Sequence, residues 1–313
     1  MQLITDADVA SSITMREAID AMQAAFLQFG QGAGAVLSRN RAAVDFNGSN
    51  VMISAMGAAL PAGDVVGTKV YATVKGQFNF VIVLFSSLTG AALATIEANE
   101  LTRLRTAAAT AVAMQSLARK EAAVLAVFGA GTQAQAHVEA LTLCHPFSKI
   151  LLCARSGAEE FASSVRAKLG IQTLVVDAAT AAAEGDVIVT CTRSSTPLFD
   201  GALVRPGSFV AAVGSSKPAA RELDDAFLLR ADHIVVEWKV AALAEAGEFV
   251  NHASLNIGTK LRELGSVLAQ GDQFVRAADD IILYKSVGIG LEDIALAKLV
   301  WERTQQKVGK IAA

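Results

Sequence analysis

Three basic residues in apolar or small-residue surroundings are the first candidates for chemistry. Lys69 lies inside the strand-like run VVGTKVYATV, Arg105 lies beside a run of alanines, and Arg41 precedes a group of strand-like runs. Burying a cation costs free energy unless an anion is paired with it. Together the three cations would form a clamp for a carboxylate. For any one of them alone, an ion pair or a snorkelling side chain is the commoner explanation.

A glycine-rich turn is the sharpest local motif. It follows the apolar run AAVLAVF, precedes a helix-like segment, and consists of Gly129, Ala130, Gly131, Thr132, Gln133 and Ala134. In a GxGxxA turn the glycines permit a tight bend and a close approach of backbone to a pyrophosphate, while the helix N-terminus favours phosphate charge. The pattern predicts a dinucleotide site, with a purely packing role for the glycines as the alternative.

The end of the next strand bears on the choice of dinucleotide. An NAD site usually has an acidic residue there for the ribose hydroxyls, but this chain reads Cys153-Ala154-Arg155-Ser156. Arg155 is suited to a charge-assisted fork on a 2′-phosphate, and Ser156 adds a hydroxyl donor. We therefore predict a preference for NADP(H), with NAD(H) possible. In the alternative, Arg155 stacks on adenine or is solvated, which leaves mixed cofactor use.

Thr192 is a further candidate on the cofactor side, because it follows the fourth strand at the end where ligands of open α/β sheets sit. An ordinary polar loop explains it equally well.

The elements that must position these residues fall into two groups. Residues 14–30 have helical spacing, and the runs 51–56, 65–74, 78–87 and 91–97 have the short connections of an antiparallel meander. Asn99 is the predicted N-cap of the following helix. From about residue 121, apolar strands alternate with helices, which predicts a doubly wound parallel sheet. The C-terminal LEDIALAKLVWERTQQ is an amphipathic helix that we expect to return to the first group.

Composition narrows the class of partner. The 313 residues are 53% hydrophobic and 18% charged, and no run approaches the roughly 18 apolar residues of a membrane span. The net charge of −3 is spread out, so neither nucleic acid nor a membrane surface is an expected partner. The N-terminus shows no export signal, which favours a cytoplasmic protein. The chain has no metal-binding pattern, and we expect reduced core thiols at Cys144, Cys153 and Cys191.

Four separated blocks carry a family resemblance. They are LTRLRTAAATAVA (101–113), VFGAGTQAQAH (127–137), VGSSKPAARELDD (213–225) and YKSVGIGLED (284–293). In this order and spacing the chain resembles the ornithine cyclodeaminase and mu-crystallin family over nearly its whole length. The resemblance implies a homodimer whose subunit has a Rossmann domain, residues 119–283, and a discontinuous α+β domain, residues 1–118 with 284–313, that dimerises and binds substrate.

The resemblance also assigns roles by position. It implies that Arg41, Lys69 and Arg105 contact the substrate carboxylate. Glu97 stands where members commonly have an acidic residue and is taken as a further substrate contact. The KSxG block, which the family places close to nicotinamide and substrate, corresponds to Lys285, Ser286 and Gly288. The predicted catalytic residues are Lys69, Arg105 and Ser216.

Ser216 is the informative departure. Cyclodeaminases of the family have an aspartate here that handles amines, and this task needs a carboxylate. The family's ketimine reductase resembles this chain in having serine. We therefore expect NADPH-dependent reduction of a cyclic ketimine α-imino acid, Δ1-pyrroline-2-carboxylate or Δ1-piperideine-2-carboxylate. The alternatives are an ornithine cyclodeaminase, an amino-acid or opine-like dehydrogenase, and a non-catalytic NADPH-bound ligand-binding protein.

One electrostatic difficulty accompanies this expectation. Three cations would disfavour a cationic iminium unless the substrate carboxylate and groups such as Glu97 offset them.

Overall fold

The chain forms two compact units. The computed structural model describes residues 1–60, 63–250, 257–271 and 274–311, with side chains up to residue 306. The first unit comprises Met1–Ala109 and Ile289–Ala313, and the second comprises Thr110–Gly288. The first unit is therefore made from two separate stretches of sequence, and the second unit is the stretch of sequence that separates them.

The first unit is a six-stranded sheet with helices. Its elements are β1 (Gln2–Ile4), α1 (Asp6–Ser12), α2 (Met15–Gly30), β2 (Ala35–Phe46), β3 (Ser49–Leu60), β4 (Val65–Val74), β5 (Gln77–Ser86), β6 (Ala92–Glu97), the start of α3 (Asn99–Leu117) and, near the C-terminus, α11 (Gly290–Ile311). The strand order is β1-β6-β5-β4-β3-β2. β1 is parallel to β6, and the neighbouring pairs from β6 to β2 are antiparallel.

The predicted meander corresponds to β3, β4, β5 and β6, but the sheet is larger than the sequence indicated. The strands β1 and β2 were not predicted from the sequence pattern. Most residues of β2 are exposed, and its register shifts between Leu37 and Asn40, so that this edge strand lacks a regular alternation of apolar and polar residues. Arg41, which precedes the predicted meander, lies within β2 and pairs with Ser54 of β3.

The predicted N-cap of α3 also needs correction. Asn99 is itself the first helical residue, and its side-chain amide donates to Asp6 Oδ2 at 2.8 Å. The Glu100 N–H donates to Asp6 Oδ1, also at 2.8 Å. A carboxylate from the first turn of α1 therefore satisfies the start of α3 and complements its positive end.

Small residues let α11 approach the sheet closely. A Cβ atom on Gly290 would collide with the backbone of Gly57 in β3. Gly57 and Gly290 are both buried, so only glycine permits this contact between helix and strand. The contact fixes the first turn of α11, which carries Glu292 and Asp293, against the sheet.

The second unit is a parallel sheet covered by helices. Its elements are β7 (Val124–Phe128), α4 (Thr132–Cys144), β8 (Lys149–Cys153), α5 (Ala158–Leu169), β9 (Gln172–Val175), α6 (Ala178–Glu184), β10 (Val187–Thr190), β11 (Phe209–Ala212), α7 (Asp225–Arg230), β12 (His233–Val236), α8 (Lys239–Glu245), α9 (Gly247–Val250), β13 (Leu261–Glu263), α10 (Leu264–Gln270) and β14 (Ile282–Lys285). The eight strands follow the order β13-β12-β14-β11-β10-β7-β8-β9 and are all parallel.

This topology confirms the predicted α/β class with a doubly wound parallel sheet. The strand order reverses between β7 and β10, and in such sheets the crevice at this point, outside the carboxyl ends of the strands, is the usual ligand site. The predicted domain limit after residue 283 falls inside β14. Because β14 pairs with β11 and β12, Tyr284 and Lys285 belong to this sheet.

Two further findings concern the whole described chain. None of its three cysteines forms a disulfide, and all three are partly buried. Among the residues that the structure describes, no helix is long and apolar enough to cross a membrane.

Candidate active site

The glycine turn after β7 has the backbone that a dinucleotide loop requires. Gly129 has φ +117°, and a Cβ there would lie 2.9 Å from the carbonyl oxygen of Cys191. Gly131 is the N-cap of α4 and has open space where a side chain would be, while Ala134 is buried. Thr132 and Gln133 form the first turn of α4. The backbone amides at this helix start suit a phosphate group.

The residues that would select the dinucleotide follow the neighbouring strand. Phe128 of β7 pairs with Cys153 of β8, and the Gly129 N–H donates to the Cys153 carbonyl at 2.8 Å. Arg155 and Ser156 come next and are exposed. They therefore follow the strand beside the glycine turn, at the same carboxyl edge of the sheet.

A buried carboxylate, Glu222, shapes the next two loops. Its Oε1 accepts from the backbone N–H of Thr192 at 2.8 Å and from the Thr192 hydroxyl at 2.7 Å. Its Oε2 accepts from the Thr190 hydroxyl at 2.6 Å and the Gly214 N–H at 2.8 Å. Four donors thus surround one fully buried carboxylate. The Thr192 hydroxyl, predicted as a cofactor contact, donates to Glu222 in this structure.

The KSxG residues make mainly protein contacts within the second unit. Lys285 Nζ donates to the Ser215 carbonyl at 2.9 Å and forms an ion pair with Glu248 at 3.1 Å, both side chains being fully buried. Gly288 has φ +73°, and its N–H donates to Glu237 at 3.1 Å. Ser286 is buried at the end of β14.

These contacts fix the loop that carries Ser216. Glu248 also accepts from the Glu222 N–H at 3.0 Å. Ser216 is partly exposed and follows directly after Ser215, whose carbonyl is held by Lys285. The structure therefore gives Lys285 a role in ordering the backbone beside Ser216.

His137 of α4 is a buried side chain that the sequence analysis left unassigned. Its Nδ1 lies 2.7 Å from the Gln133 carbonyl, and its Nε2 lies 3.0 Å from the Thr110 hydroxyl. Because a carbonyl only accepts, Nδ1 carries the proton and Nε2 accepts. Burial lowers the pKa of His137 to about 4, so the imidazole is neutral at physiological pH and has a structural role.

In the first unit, Lys69 and Arg105 converge on one carboxylate. Lys69 Nζ donates to Asp293 Oδ1 at 2.9 Å and to the Thr102 hydroxyl at 2.8 Å. Arg105 Nε donates to the same Asp293 oxygen at 3.1 Å, and its terminal nitrogen donates to Glu292 at 2.8 Å. Two cations and two carboxylates, all buried, therefore form what we call the ionic cluster, made of Lys69, Arg105, Glu292 and Asp293.

The electrostatics of this cluster follow from burial and mutual pairing. Burial lowers the pKa of Lys69 to about 8, with Asp293 opposing the shift. Burial works to raise the pKa of Asp293, but Arg105 and Lys69 outweigh it and hold that pKa below its usual value. At neutral pH the lysine is thus largely protonated and Asp293 is ionised. Lys69 also lies 4.3 Å from the centroid of the Phe80 ring, a cation–π contact.

Arg41 belongs to the same face of the sheet as the ionic cluster. It pairs across the strands with Ser54, which pairs with Tyr71, and the next row on the same face, two residues along, contains Met56 and Lys69. Residues paired across strands share a face, and alternate rows return to it. The predicted set Arg41, Lys69 and Arg105 thus lies within one unit, with Arg41 one row from Lys69.

Glu97 does not belong to this group. Its neighbour Ile96 is in the row of Ile82 and Lys69, so Glu97 faces the opposite side of the sheet. Its carboxylate accepts the Asp6 N–H at the start of α1, at 3.0 Å. The expectation that Glu97 offsets the cations is wrong, and Asp293 and Glu292 do so instead.

The fold and these loops define a class of protein. A doubly wound parallel sheet, with a glycine turn opening a helix at the reversal of strand order, is the arrangement of Rossmann-type dinucleotide-binding proteins.

Known proteins resemble the chain along almost its whole length. The model of the ornithine cyclodeaminase/mu-crystallin family matches residues 1–308. Ketimine reductase mu-crystallin of Mus musculus is 32% identical over 294 residues, which are 91% of each protein. The structure of a probable ornithine cyclodeaminase from Bordetella pertussis Tohama I has 42% identity and a TM-score of 0.94, covering 99% of this chain and 98% of that one.

A second solved structure carries ligands. The Δ1-pyrroline-2-carboxylate reductase of Thermococcus litoralis, in complex with NADH and L-proline, is 29% identical with a TM-score of 0.91 and covers 98% of both chains. The protein belongs to the ornithine cyclodeaminase/mu-crystallin family, which confirms the resemblance carried by its four sequence blocks.

Replacing Glu222 tests its role in ordering the carboxyl edge. Glu222→Gln replaces one carboxylate oxygen by an NH2 group, which is a donor and faces backbone amides and hydroxyls that also donate. We therefore expect a loss of about 2 kcal/mol or more in the free energy of unfolding. Urea denaturation measures this loss. Tryptic cleavage after Arg193, in the loop after β10, should also become faster.

The control is Glu121→Gln, which removes the same charge at an exposed site. Equal stability and equal cleavage rates in the two variants would contradict the assignment.

Proposed function

We propose that the protein is an NADPH-dependent imine reductase. Its substrate is a cyclic ketimine α-imino acid, Δ1-pyrroline-2-carboxylate or Δ1-piperideine-2-carboxylate, and its product is L-proline or L-pipecolate. The observation that carries the proposal is the whole-chain match to named reductases, joined to a serine, Ser216, where the cyclodeaminases need a carboxylate.

The cofactor residues fit a nicotinamide dinucleotide, which supplies a hydride when bound. The glycine turn, Gly129 to Ala134, and the start of α4 would hold its pyrophosphate, because Gly131 leaves open space at the helix N-terminus. Arg155 and Ser156 would bind a 2′-phosphate. Lys285, through Ser215, orders the backbone next to Ser216, and Gly288 is held in its turn by Glu237.

The ionic cluster and Arg41 would bind the imino acid. We assign the substrate carboxylate to Arg41, Lys69 and Arg105, and a further polar contact to Ser286. Because Asp293 and Glu292 already balance Lys69 and Arg105, the cluster does not repel a protonated imine as three isolated cations would. Catalysis by these residues is therefore positioning and electrostatic balance, with no general base required.

Ornithine cyclodeaminase activity is the second candidate. The Bordetella pertussis structure that shares 42% identity with this chain is described as a probable ornithine cyclodeaminase. The serine at 216 argues against this activity, because a hydroxyl does not accept protons near neutral pH. An amino-acid dehydrogenase and a non-catalytic NADPH-bound carrier of small ligands are the third and fourth candidates.

We also propose a homodimer formed through the outer face of the sheet. The face opposite the ionic cluster exposes large apolar side chains that the strand register places together: Val44, Phe46, Ile53, Val74 and Val81. Contiguous apolar surface of this kind is rare on monomers and typical of an interface.

A substrate panel tests the reaction. NADPH absorbance is followed with the two cyclic imines, with linear ketimines, and with 2-oxo acids plus ammonia, while ammonia release from ornithine is assayed in parallel with NAD. We expect oxidation of NADPH with at least one cyclic imine and no ammonia from ornithine. Ammonia without net cofactor change would instead establish the cyclodeaminase, and NADPH binding without any turnover would establish the carrier.

A charge reversal tests the cofactor choice. Arg155→Asp should lower the ratio of kcat/KM for NADPH to that for NADH by about tenfold or more, because it replaces a phosphate donor by an anion. Lys120→Asp, at an exposed position away from the predicted contact, controls for net charge. A parent enzyme that prefers NADH would refute the assignment.

Sedimentation tests the interface. The parent chain should sediment as a dimer, and Ile53→Glu should shift it toward monomer because a charge enters an apolar contact. Gln115→Glu, on the exposed surface of α3, should stay dimeric. A parent protein that is monomeric at micromolar concentration would rule out the proposal.

A further inference from the structure

The two oxygens of the Asp293 carboxylate have unlike surroundings. Oδ1 accepts from both Lys69, at 2.9 Å, and Arg105, at 3.1 Å. Oδ2 is buried and has no hydrogen-bond partner among the described residues. Buried polar atoms almost always have a partner, and an ionised oxygen without a donor is among the most costly groups to bury. An acceptor held in this state therefore points to a donor supplied by a ligand.

The charge of the cluster defines what kind of donor fits. Lys69 and Arg105 contribute two positive charges, and Glu292 and Asp293 contribute two negative charges, so the cluster is neutral before a ligand arrives. Asp293 is held ionised by its two partners, which makes Oδ2 an acceptor only. A cationic N–H donor gains a charge-assisted hydrogen bond there, with Arg39 the further positive charge near Asp293.

Two hydroxyls on the same sheet face extend the polar surface. Ser54 Oγ and Thr73 Oγ1 are buried and also lack hydrogen-bond partners among the described residues. Ser54 pairs with Arg41 and with Tyr71, and Thr73 lies two residues beyond Tyr71 on β4, on the same face. Besides the ionic cluster, this face of the first unit thus carries two buried hydroxyls and the guanidinium of Arg41.

We propose that Asp293 Oδ2 accepts the hydrogen bond from the protonated ring nitrogen of the imino acid and of the cyclic amino acid formed from it. The proposal rests on the proposed reduction of a cyclic ketimine. In that reaction the imine nitrogen takes a proton from water, hydride forms the new C–H bond, and the C=N π electrons become the nitrogen lone pair. A second proton from water gives the ammonium product, so the nitrogen carries an N–H throughout.

This role differs from that assigned to Lys69 and Arg105. Those residues bind the carboxylate of the substrate, whereas Asp293 binds the cationic nitrogen of the same zwitterion. One side chain therefore both fixes the two cations and recognises the nitrogen, which explains why a single aspartate keeps one oxygen paired and the other unpaired.

Ligand pairs that differ only at the ring atom test the proposal. L-proline has an NH2⁺ group where (S)-tetrahydrofuran-2-carboxylate has an ether oxygen that cannot donate. We expect the NADP⁺-loaded parent protein to bind L-proline at least about tenfold more tightly, the value of one charge-assisted hydrogen bond. L-Pipecolate and tetrahydropyran-2-carboxylate form the six-membered pair. Equal affinities within both pairs would overturn the proposal without any variant.

The variant Asp293→Asn then assigns the preference to this residue. It should weaken the nitrogen ligand more than the oxygen analogue, so that the ratio of the two affinities falls most of the way to one, because an amide no longer supplies an anionic acceptor. Glu292→Gln removes the same charge from the cluster and should weaken both ligands alike. Circular dichroism and thermal unfolding establish that both variants are folded.

Each remaining outcome has a distinct meaning. An Asp293→Asn protein that keeps the parent's preference would show that Oδ2 is satisfied by a structural water. If Asp293→Asn does not fold, the pairwise affinities of the parent and of Glu292→Gln still decide the proposal. A protein that prefers L-proline but reduces no imine would refute the proposed reaction and leave Asp293 as an amine acceptor. A protein that reduces imines without the preference would refute the Asp293 assignment alone.

Discussion

The pairing of two buried cations with Asp293 is the interaction on which the first unit depends. Lys69 comes from the middle of the sheet and Arg105 from α3, and neither is accommodated in an apolar interior without a counter-charge. Asp293 forms an ion pair with both cations, and Glu292 forms a second ion pair with Arg105. The ionic cluster therefore joins a strand and two helices at one point, and the close packing of Gly290 on Gly57 sets that point.

The second unit uses the same physical device for a different purpose. Glu222 is also a buried carboxylate, but its donors are backbone amides and hydroxyls instead of cations. Its hydrogen bonds join the ends of β10 and β11, and Glu248 with Lys285 extends the set to β14. Loops that follow strands are usually the mobile parts of a fold. Here the carboxyl edge, where a dinucleotide is expected, is ordered by the buried charged side chains of Glu222, Glu248 and Lys285.

The sequence predicted those features that depend on local pattern. The parallel sheet, the glycine turn and four strands of the meander were visible because apolar runs and turn residues mark them directly. The edge strand β2 was missed because its exposed residues have no alternation. The strand β14 was missed because it has only four residues, two of which, Tyr284 and Lys285, open a motif block. The Asn99 cap failed because Asp6, far away in sequence, takes the capping role.

The carboxylates that pair with the predicted cations were not predicted from the sequence, for a related reason. Lys69 and Arg105 stood out as unusual residues, whereas Asp293 and Glu292 have the ordinary appearance of acids in the first turn of a helix. Asp293 lies 188 positions after Arg105, and the intervening sequence contains the whole second unit, so no periodicity connects the two residues. Glu97 was the expected counter-charge because it stands where members of the family commonly have an acidic residue, but the pleat of β6 turns it to the opposite face of the sheet.

The return of α11 to the first unit has a consequence for how the chain is made. A ribosome releases Lys69 and Arg105 long before it has translated Glu292 and Asp293, and the inner side of the sheet lacks its covering helix for the same period. The second unit, which is continuous in sequence, is free to fold while the first waits. The nascent first unit thus carries two uncompensated charges and open sheet surface until α11 has been translated. Its completion is a late, long-range event, and during this interval the chain depends most on protection from aggregation.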